Sequence, residues 1–531
     1  MKNLYLILTI LAISLFTNAQ SELNFDSGLI ENYSKNPSVV SLFKIESDYF
    51  LVRKQSITGP RGFDFYIEKF DEDLNHVRTL LVSGKEGKEE RTIESAFQLG
   101  ESIALIYSVN RPGKDKSTDF KIEYIDPESL TPQTNITLFS LPKEMTKYGH
   151  WLTYNVSKSG KYFTVKYTQW EGEPQGILAI LHFSAEGEFI SNLLTAISEH
   201  TKDSKLDQTL VADDGNVYLV LYNDQPEGRI GVKFKIMAIQ GESFKNYPLN
   251  LDPVSVNEIV ISEGESEGII GAGTFNSTQN QQDWNYFDSY TKGIFTFRIN
   301  ANSESISFGK AHPFNYELAY EGWDSEMTKV NFKKLKSGDK KEYEKVIAQK
   351  NDYENFEDFD LDSPPERKNK IGIDDLYLRE IMECNGEIFT LLDLDYISYF
   401  KAIVAVNFNA NGTFQYEKKF GLNAPSYNAY TGNDEPYYLF KRDGLPAIIF
   451  RDNYKNAEPK SLEKEPYLKY DQTAYNGLVF DNPDPTRFVA FRLDGKPRIK
   501  YAKDITLTGN GTELLFITDL AGTGYRLSRV R

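Results

Sequence analysis

The stretch TLVADDGNVYLVLYND, Thr209–Asp224, decides how this chain folds. A run of strand-forming residues enters the turn Asp213–Asn216, and a second run, Val217–Tyr222, leaves it. Asp, Gly and Asn tolerate the left-handed backbone of a tight turn, and β-branched and aromatic residues favour the flanking strands. The stretch therefore predicts an antiparallel β-hairpin.

A second hairpin is predicted directly after the first. Gly231–Ile239 and Ser243–Tyr247 have strand patterns, and Gln240-Gly241-Glu242 separates them as a turn. Two successive hairpins make one small antiparallel sheet. A sheet of this size cannot bury both of its faces by itself, so it needs neighbours.

The same two-hairpin module recurs along the chain, at intervals of roughly 45 to 60 residues once insertions are set aside. Its turns fall at short runs rich in Gly, Asp, Asn and Ser. The complete modules are predicted at Val39–Lys54 with Phe63–Val82, Ile93–Val109 with Phe120–Phe139, Trp151–Trp170 with Ile177–Leu194, Thr209–Asp224 with Gly231–Tyr247, Val256–Phe275 with Gly293–Phe308, Leu376–Leu394 with Ala402–Phe420, and Tyr437–Arg451 with Phe488–Tyr501.

An incomplete module, Ile505–Val530, follows the complete ones and lacks one strand, which Asn24–Tyr33 could supply. Sheets arranged around an axis bury one another's faces and leave only short edges exposed. We therefore predict an all-β protein, a β-propeller of seven or eight four-stranded antiparallel blades whose ring is closed by the N- and C-terminal strands. Tandem β-sandwiches are the alternative, but we find no Pro/Gly/Ser-rich linker that would separate them.

The N-terminus has the pattern of a secretory signal peptide. Met1-Lys2-Asn3 precedes the apolar run Leu4–Phe16, and small residues, Thr17 and Ala19, follow it. The apolar run is shorter than the ~20 residues that span a bilayer. We expect a signal peptide over residues 1–19, a single propeller domain over residues 20–531, no membrane span after cleavage, and a secreted or periplasmic location.

Composition excludes some classes of partner. The formal net charge is −17, from 77 acidic and 60 basic residues. Binding of phosphate backbones needs clustered Lys and Arg, so we expect no nucleic-acid partner.

Cys384 is the one cysteine of the chain, so disulfides cannot stabilise it, and we expect a buried, unreactive thiol.

Two segments interrupt the modules. Residues 276–290 (NSTQNQQDWNYFDSY) are polar and aromatic, and residues 314–372 are longer and densely charged. Long insertions in a compact repeat are either functional loops or disordered. Large aromatic residues dominate many binding interfaces. The candidate binding residues are therefore Trp284, Tyr286 and Trp323.

Motifs typical of catalysis have simpler explanations here. Gly264–Gly268 (GESEG) matches the serine hydrolase pattern G-x-S-x-G, but that motif works between a strand and a helix. Here it stands where a hairpin turn is expected. Asp393 and Asp395 alternate on a strand and share one face. They could form a buried acid/base pair, although a solvent-facing strand end is favoured.

Metal binding is not indicated either. Asp358, Asp360 and Asp362 alternate as in a calcium loop, but the positions that need Gly and Glu hold Ser363 and Asn369. The five histidines, His150 beside Trp151 among them, are scattered without zinc-ligand spacing. We expect no metal, no cofactor and no catalytic residue that the sequence can name.

The stretches Phe400–Phe420, Ala447–Asn456, Gly268–Ser277 and Lys292–Ile299 resemble secreted propeller-like proteins of Gram-negative bacteria. The resemblance rests on strand-and-turn patterns and covers about half of the chain. It implies the fold and a location in the cell envelope, and it brings no catalytic residues. Trp-Asp repeats, kelch glycine pairs and sialidase turns are absent from the sequence.

The expected function is non-catalytic binding or scaffolding in the cell envelope, with a protein or glycan as partner. The alternative is an envelope hydrolase or lyase that acts on glycans or peptides through carboxylates at the propeller axis. An inward pair of Asp or Glu side chains would favour the alternative. The sequence leaves the oligomeric state open.

Overall fold

The structure is a computed structural model, and it describes part of the chain. Apart from a single-turn helix, α1 (Lys143–Thr146), the regular elements of this part are β-strands. The described residues are 25–27, 38–56, 63–86, 89–110, 117–146, 150–169, 176–193, 205–223, 233–241, 243–249, 254–265, 268–277, 291, 293–300, 306–314, 376–396, 399–425, 437–451, 474–480, 486–492, 501–508, 513–519 and 525–530.

The strands follow one another as antiparallel hairpins. Those of the first half of the chain are β1 (Phe25–Ser27), β2 (Ser38–Ile45), β3 (Asp48–Ser56), β4 (Phe63–Phe70), β5 (His76–Val82), β6 (Lys85–Glu86), β7 (Glu89–Leu99), β8 (Ser102–Asn110), β9 (Ser117–Ile125), β10 (Pro132–Pro142), β11 (His150–Val156), β12 (Tyr162–Gln169), β13 (Gly176–Ser184), β14 (Phe189–Asn192), β15 (Lys205–Val211), β16 (Val217–Asn223), β17 (Lys233–Gln240) and β18 (Ser243–Pro248).

The second half continues the same pattern. Its strands are β19 (Val254–Glu263), β20 (Ile269–Ser277), β21 (Gly293–Ile299), β22 (Ser307–Phe308), β23 (His312–Pro313), β24 (Leu376–Cys384), β25 (Glu387–Tyr396), β26 (Tyr399–Phe408), β27 (Phe414–Pro425), β28 (Tyr437–Arg442), β29 (Leu445–Arg451), β30 (Ala474–Val479), β31 (Thr486–Arg492), β32 (Tyr501–Thr508), β33 (Glu513–Asp519) and β34 (Tyr525–Val530).

Within the described residues these strands form eight antiparallel sheets, which we number in chain order. Sheets 1 to 7 are each built from consecutive strands: β2–β5, β6–β10, β11–β14, β15–β18, β19–β23, β24–β27 and β28–β31. Sheet 8 combines β32, β33 and β34 with β1 from the other end of the chain. This topology confirms the predicted all-β fold of propeller type rather than tandem β-sandwiches.

The chain divides into two compact units. The first unit is residues 1–82 with residues 430–531 and holds sheets 1, 7 and 8; the second is residues 83–429 and holds sheets 2 to 6.

The core of the second unit lies between successive sheets. Ile106 and Phe163 belong to the cluster between sheets 2 and 3, and Ile180 and Val217 to the cluster between sheets 3 and 4. Two further clusters join sheet 4 to sheet 5 and sheet 5 to sheet 6. Because each interior sheet is covered on both faces, its strands are apolar at nearly every position rather than at alternate ones.

In the first unit, the chain ends meet in sheet 8. Phe25 of β1 lies opposite Val530 of β34. Next to this pairing, the buried Arg529 donates from Nη1 to the hydroxyl of Tyr49 in sheet 1, over 2.6 Å. That hydroxyl in turn donates to Oε2 of Glu513 over 3.0 Å. The network ties sheet 8 to sheet 1.

One predicted hairpin is wrong. The second half of sheet 7 is Ala474–Val479 paired with Thr486–Arg492, rather than Phe488–Tyr501 turning at Asp494-Gly495. Tyr501 starts β32 instead. The Asn476-Gly477 pair within β30 resembles a turn, but pairing of Gly477 with Ile449 of β29 holds it in a strand.

Candidate functional site

The first strands of the sheets carry a repeated irregularity near their starts. In β7, β15, β19 and β24 the pairing with the second strand skips one residue. A β-bulge of this kind leaves the extra residue unpaired and redirects its side chain. The skipped residues of the second unit are Glu94, Asp207, Asn257 and Arg379.

The ends of these first strands lie at one end of the second unit, because hydrogen bonds link the turns that follow them. Gly100 N–H donates to Gly160 O over 2.9 Å. Ser159 donates from its backbone and its hydroxyl to Asp213 Oδ1, and Asp213 N–H donates to Glu263 Oε1. Glu265 N–H donates to Glu383 Oε2 over 2.6 Å. We call this series of bonds the turn belt.

The starts of the first strands therefore lie together at the opposite end of the unit. The first strand of each sheet also lies beside the first strand of the next, in the order β7, β11, β15, β19 and β24. The bulged residues of β15, β19 and β24 consequently come from neighbouring strands at a common end of the unit, and β11 separates them from the bulge of β7.

Glu258 and Arg379 form the centre of this group. Glu258 Oε2 accepts the backbone N–H of Leu378 over 2.7 Å, which joins sheet 5 to sheet 6. Arg379 donates from Nε to Asp393 Oδ2 over 3.0 Å. The Asp393 side chain is 2% exposed, whereas that of Arg379 is 48% exposed. Arg379 is thus held from behind by a buried carboxylate and presents its guanidinium to solvent.

Burial changes the acidity of two carboxyl groups here. Desolvation raises the pKa of Glu258, although the Leu378 N–H and Arg379 act in the opposite direction. The charges of Asp207 and Asp393 raise the Glu258 pKa further, so these groups act on one another. Desolvation also raises the pKa of Asp207. Raised carboxyl pKa values are common at functional sites.

Other polar side chains lie near the starts of the first strands on either side of Glu258 and Arg379. Asn257 Nδ2 lies 3.4 Å from Thr291 Oγ1, which donates to Leu376 O. On the other side, Ser108 donates to Glu94 Oε1 over 2.6 Å. Burial, with a smaller effect of the Glu94 charge, raises the pKa of Tyr154 well above its usual value.

Trp151 adds an aromatic surface at the same end of the unit. It is the second residue of β11, the strand between β7 and β15, and it is 56% exposed. Its neighbour His150 packs its ring on Tyr167, with centroids 5.2 Å apart. We name the set Trp151, Asp207, Asn257 and Arg379 the strand-start surface.

The structure does not test the predicted binding residues. Trp284, Tyr286 and Trp323 lie outside the described residues, as do most of the two insertions and Asp358, Asp360 and Asp362. The prediction that they bind a partner therefore stays a prediction.

Other sequence motifs fall within the described part. The G-x-S-x-G match is confirmed as a hairpin turn, since Gly264 N–H donates to Gly268 O between β19 and β20. Cys384 is buried, as expected. The favoured solvent-facing position of Asp393 is wrong, because this carboxylate is buried against Arg379.

Sequence reasoning missed the strand-start surface itself. Asp207, Asn257 and Arg379 are each followed by a second polar residue, and these polar pairs interrupt strand alternation near the start of a module's first strand. Their recurrence at this place in successive modules is the signal that could have found them.

The described residues contain no group of three or more His, Cys, Asp and Glu residues placed to hold a metal ion. The same part of the chain has no helix with the length and apolar character needed to cross a membrane.

Comparison with known proteins gives a likeness of fold. No family model matches the chain, and no curated protein matches it. Among solved structures, the chain is similar to the β-propeller domain of the trilobed protease from Pyrococcus furiosus, with 8% identity, 87% of this chain and 98% of that chain covered, and a TM-score of 0.35.

Two other structures show a similar extent of likeness. Polysaccharide lyase Uly1 has 9% identity, 83% and 90% coverage of the two chains, and a TM-score of 0.39. A protein of unknown function from Dyadobacter fermentans has 9% identity, 95% and 97% coverage, and a TM-score of 0.27.

Proposed function

We propose that the protein is an exported, non-catalytic binding protein of the cell envelope and that the strand-start surface contacts its ligand. Export is supported by the signal-like segment Leu4–Phe16 with its small flanking residues. The ligand belongs to the envelope, as a glycan or a protein. The net charge of −17 argues against nucleic acid and anionic membrane surfaces as partners.

The observation that carries the proposal is that the Arg379 side chain is held in place and yet exposed to solvent. A guanidinium that only stabilised the fold would be buried with its partner. Here the buried Asp393 fixes the Nε–H edge, while about half of the side chain faces solvent. The ring of Tyr377, 5.2 Å from the guanidinium carbon, limits its motion further. A fixed, exposed guanidinium loses little conformational entropy when it binds a ligand.

Retention on native envelope material tests this proposal. We expect the wild-type protein to bind fractionated envelopes, and the double variant Trp151→Ala/Asp207→Ala to lose most of that binding while it keeps its melting temperature. Phe189→Ala is the matched control, because Phe189 is an equally exposed aromatic residue on the outer strand of the sheet that holds Trp151. Equal retention of all three proteins would contradict the proposal.

A second candidate function, hydrolysis or elimination on a glycan or peptide, is favoured by the raised pKa values of Glu258 and Asp207. Two carboxyl groups with shifted acidity can act as general acid and general base. However, Glu258 already accepts the Leu378 N–H between two sheets, which gives it a structural task. Binding without catalysis is therefore the better supported proposal.

The choice between binding and catalysis can be tested by looking for reaction products. Envelope glycan and peptide fractions incubated with wild-type protein should show no new reducing ends, unsaturated products or free amines. If products do appear, and Asp207→Asn and Glu258→Gln both abolish them, the hydrolase or lyase function replaces the binding function. Product formation that survives both substitutions would indicate a contaminating enzyme.

A further inference from the structure

We infer that the ligand of the strand-start surface is an uncharged glycan, stacked on Trp151 and hydrogen-bonded by Asp207, Asn257 and Arg379. This inference rests on the proposed function and narrows its ligand to one chemical class.

The aromatic component of the strand-start surface is the indole of Trp151. Large aromatic side chains in this fold are mostly core residues, such as Tyr167, Phe163 and Phe183. Trp151 instead keeps more than half of its surface in solvent, although its strand, β11, lies between the first strands β7 and β15 of the neighbouring sheets. An indole held in this way offers a flat apolar face to a ligand. The C–H face of a sugar ring is flat and apolar and matches it.

The charges of the strand-start surface argue against a charged ligand. Asp207 and Arg379 are both exposed and have opposite signs. An anionic ligand would gain at Arg379 but would be repelled by Asp207, Glu258 and Asp393. A cationic ligand would be attracted by the carboxylates but repelled by Arg379. A neutral ligand avoids both penalties.

The hydrogen-bonding groups match hydroxyls. Arg379 can only donate, an ionised Asp207 can only accept, and Asn257 can do both. A sugar hydroxyl is both donor and acceptor, so adjacent hydroxyls can satisfy all three side chains. A peptide backbone alternates fixed donors and acceptors and lacks this freedom. The combination of an aromatic face with planar polar groups therefore favours a glycan.

Titration with defined oligosaccharides tests the inference. The full mature chain is titrated by calorimetry with neutral oligosaccharides of glucose, xylose and N-acetylglucosamine, up to about 10 mM because weak binding is measurable there. An acidic oligogalacturonate and an oligolysine are the charged probes. We expect at least one neutral probe to bind. Trp151→Ala and Asp207→Asn should each weaken that binding by about tenfold or more, and Phe189→Ala should not.

Three results would overturn the inference. The first is binding of only the acidic or only the basic probe, and the second is neutral binding unchanged by both substitutions at the strand-start surface. The third is no binding of any oligosaccharide. If the envelope retention described above still depends on Trp151 and Asp207, this third result removes the glycan but leaves the binding function intact. If the envelope retention does not depend on Trp151 and Asp207 either, both the glycan ligand and the proposed binding function are wrong. Arg379 is left unchanged, because its removal would leave the buried Asp393 without this partner.

Discussion

His182 is a neutral, buried imidazole in the middle of sheet 3. It lies in β13 opposite Thr164 of β12 and Ser191 of β14, and it has no solvent exposure. Neither ring nitrogen has a hydrogen-bond partner among the described residues. Burial lowers its pKa from 6.5 to about 4.

This histidine should make stability depend on pH. Because its folded pKa lies below the unfolded value, the unfolded chain binds more protons between pH 6.5 and about 4. Stability is therefore complete above pH 6.5 and falls as the pH drops through this window, by about 3 kcal/mol. We expect the melting temperature and the amide protection of β12 and β13 to fall with it. In His182→Phe this component of the pH dependence should disappear. Equal pH profiles for the two proteins would contradict the assignment.

Glycines in β20 make room for aromatic rings of the next strand. Gly271 lies opposite Phe297 and Gly273 opposite Phe295. A Cβ atom at position 271 would stand 2.0 Å from Cζ of Phe297, a ring that is buried and cannot move into solvent. The sequence GIIGAGTF thus encodes the space for two phenylalanines.

Gly271→Ala should destabilise sheet 5 by about 1 to 3 kcal/mol, the usual effect of overpacking a core. The measurement is the free energy of unfolding in urea. Combining Gly271→Ala with Phe297→Leu should recover part of the loss, because the shorter side chain leaves room for the new methyl group. A double variant as unstable as the sum of the two single variants would exclude this steric explanation.

At the residue scale, the sequence predicts which side chains share a face of a strand better than it predicts which side chains pair with one another. Its alternation places Asp393 and Asp395 on a common face, and an acidic face is normally solvated. In the structure, sheets cover β25 on both faces, so Asp393 is buried and needs Arg379 as a counter-ion. Such a pairing depends on a bulge in the adjoining strand, and single-strand periodicity does not reveal a bulge.

At the element scale, turns were predictable because they depend on local chemistry. Asn385 and Gly386 both have positive φ angles, 52° and 81°, as the sequence Asn-Gly at a hairpin requires. The second hairpin of sheet 7 is mispredicted because Asp494-Gly495 has the local pattern of a turn, whereas long-range pairing with β29 holds Gly477 within the observed strand β30. Local signals therefore locate turns well, but they cannot exclude a strand that tertiary pairing stabilises.

The turn belt is an element-scale feature that a substitution can test. Partial burial raises the pKa of Asp213, but the hydrogen bonds from Ser159, with smaller effects of Ser157 and Lys161, outweigh it and lower this pKa overall. A lowered folded pKa means that this contribution is present above the unfolded pKa and is lost as the pH falls through the folded value.

We expect Asp213→Asn to lower stability by about 1 kcal/mol near neutral pH, since the hydrogen bonds are charge-assisted but solvent-exposed. The difference from wild type should shrink as the pH falls, and urea unfolding at several pH values measures it. Ser159→Ala should have a similar effect, and the double variant should lose less than the sum of the two. Full additivity would mean that the two residues do not interact.

At the scale of the whole molecule, the pairing of the chain ends was predictable from counting strands. The last module lacks a strand, and Asn24–Tyr33 was the segment able to supply it. The observed pair β1–β34 confirms this. The strand-start surface was not predictable in the same way, because it combines residues from β11 to β24 that only the repeated packing of sheets brings together.

Removal of β1 tests how much the fold depends on this pairing. A chain of residues 20–531 without residues 24–33 leaves β34 as an exposed edge, with backbone groups open to other chains. The lost ladder has three residue pairs, so we expect a loss of about 2 to 3 kcal/mol. The truncated chain should melt at a lower temperature and form oligomers in light scattering.

A peptide of sequence NFDSGLIENY, supplied in excess, should bind the truncated chain as an added strand. Its binding should restore the monomer and raise the melting temperature with peptide concentration, because a ligand that binds only the folded state stabilises it. A peptide with the same residues in scrambled order is the control. If the truncated chain melts like the full chain, or if both peptides act alike, β1 does not hold sheet 8 together. The role of the N-terminal strand in closing the fold would then be wrong, even though the pairing itself is observed.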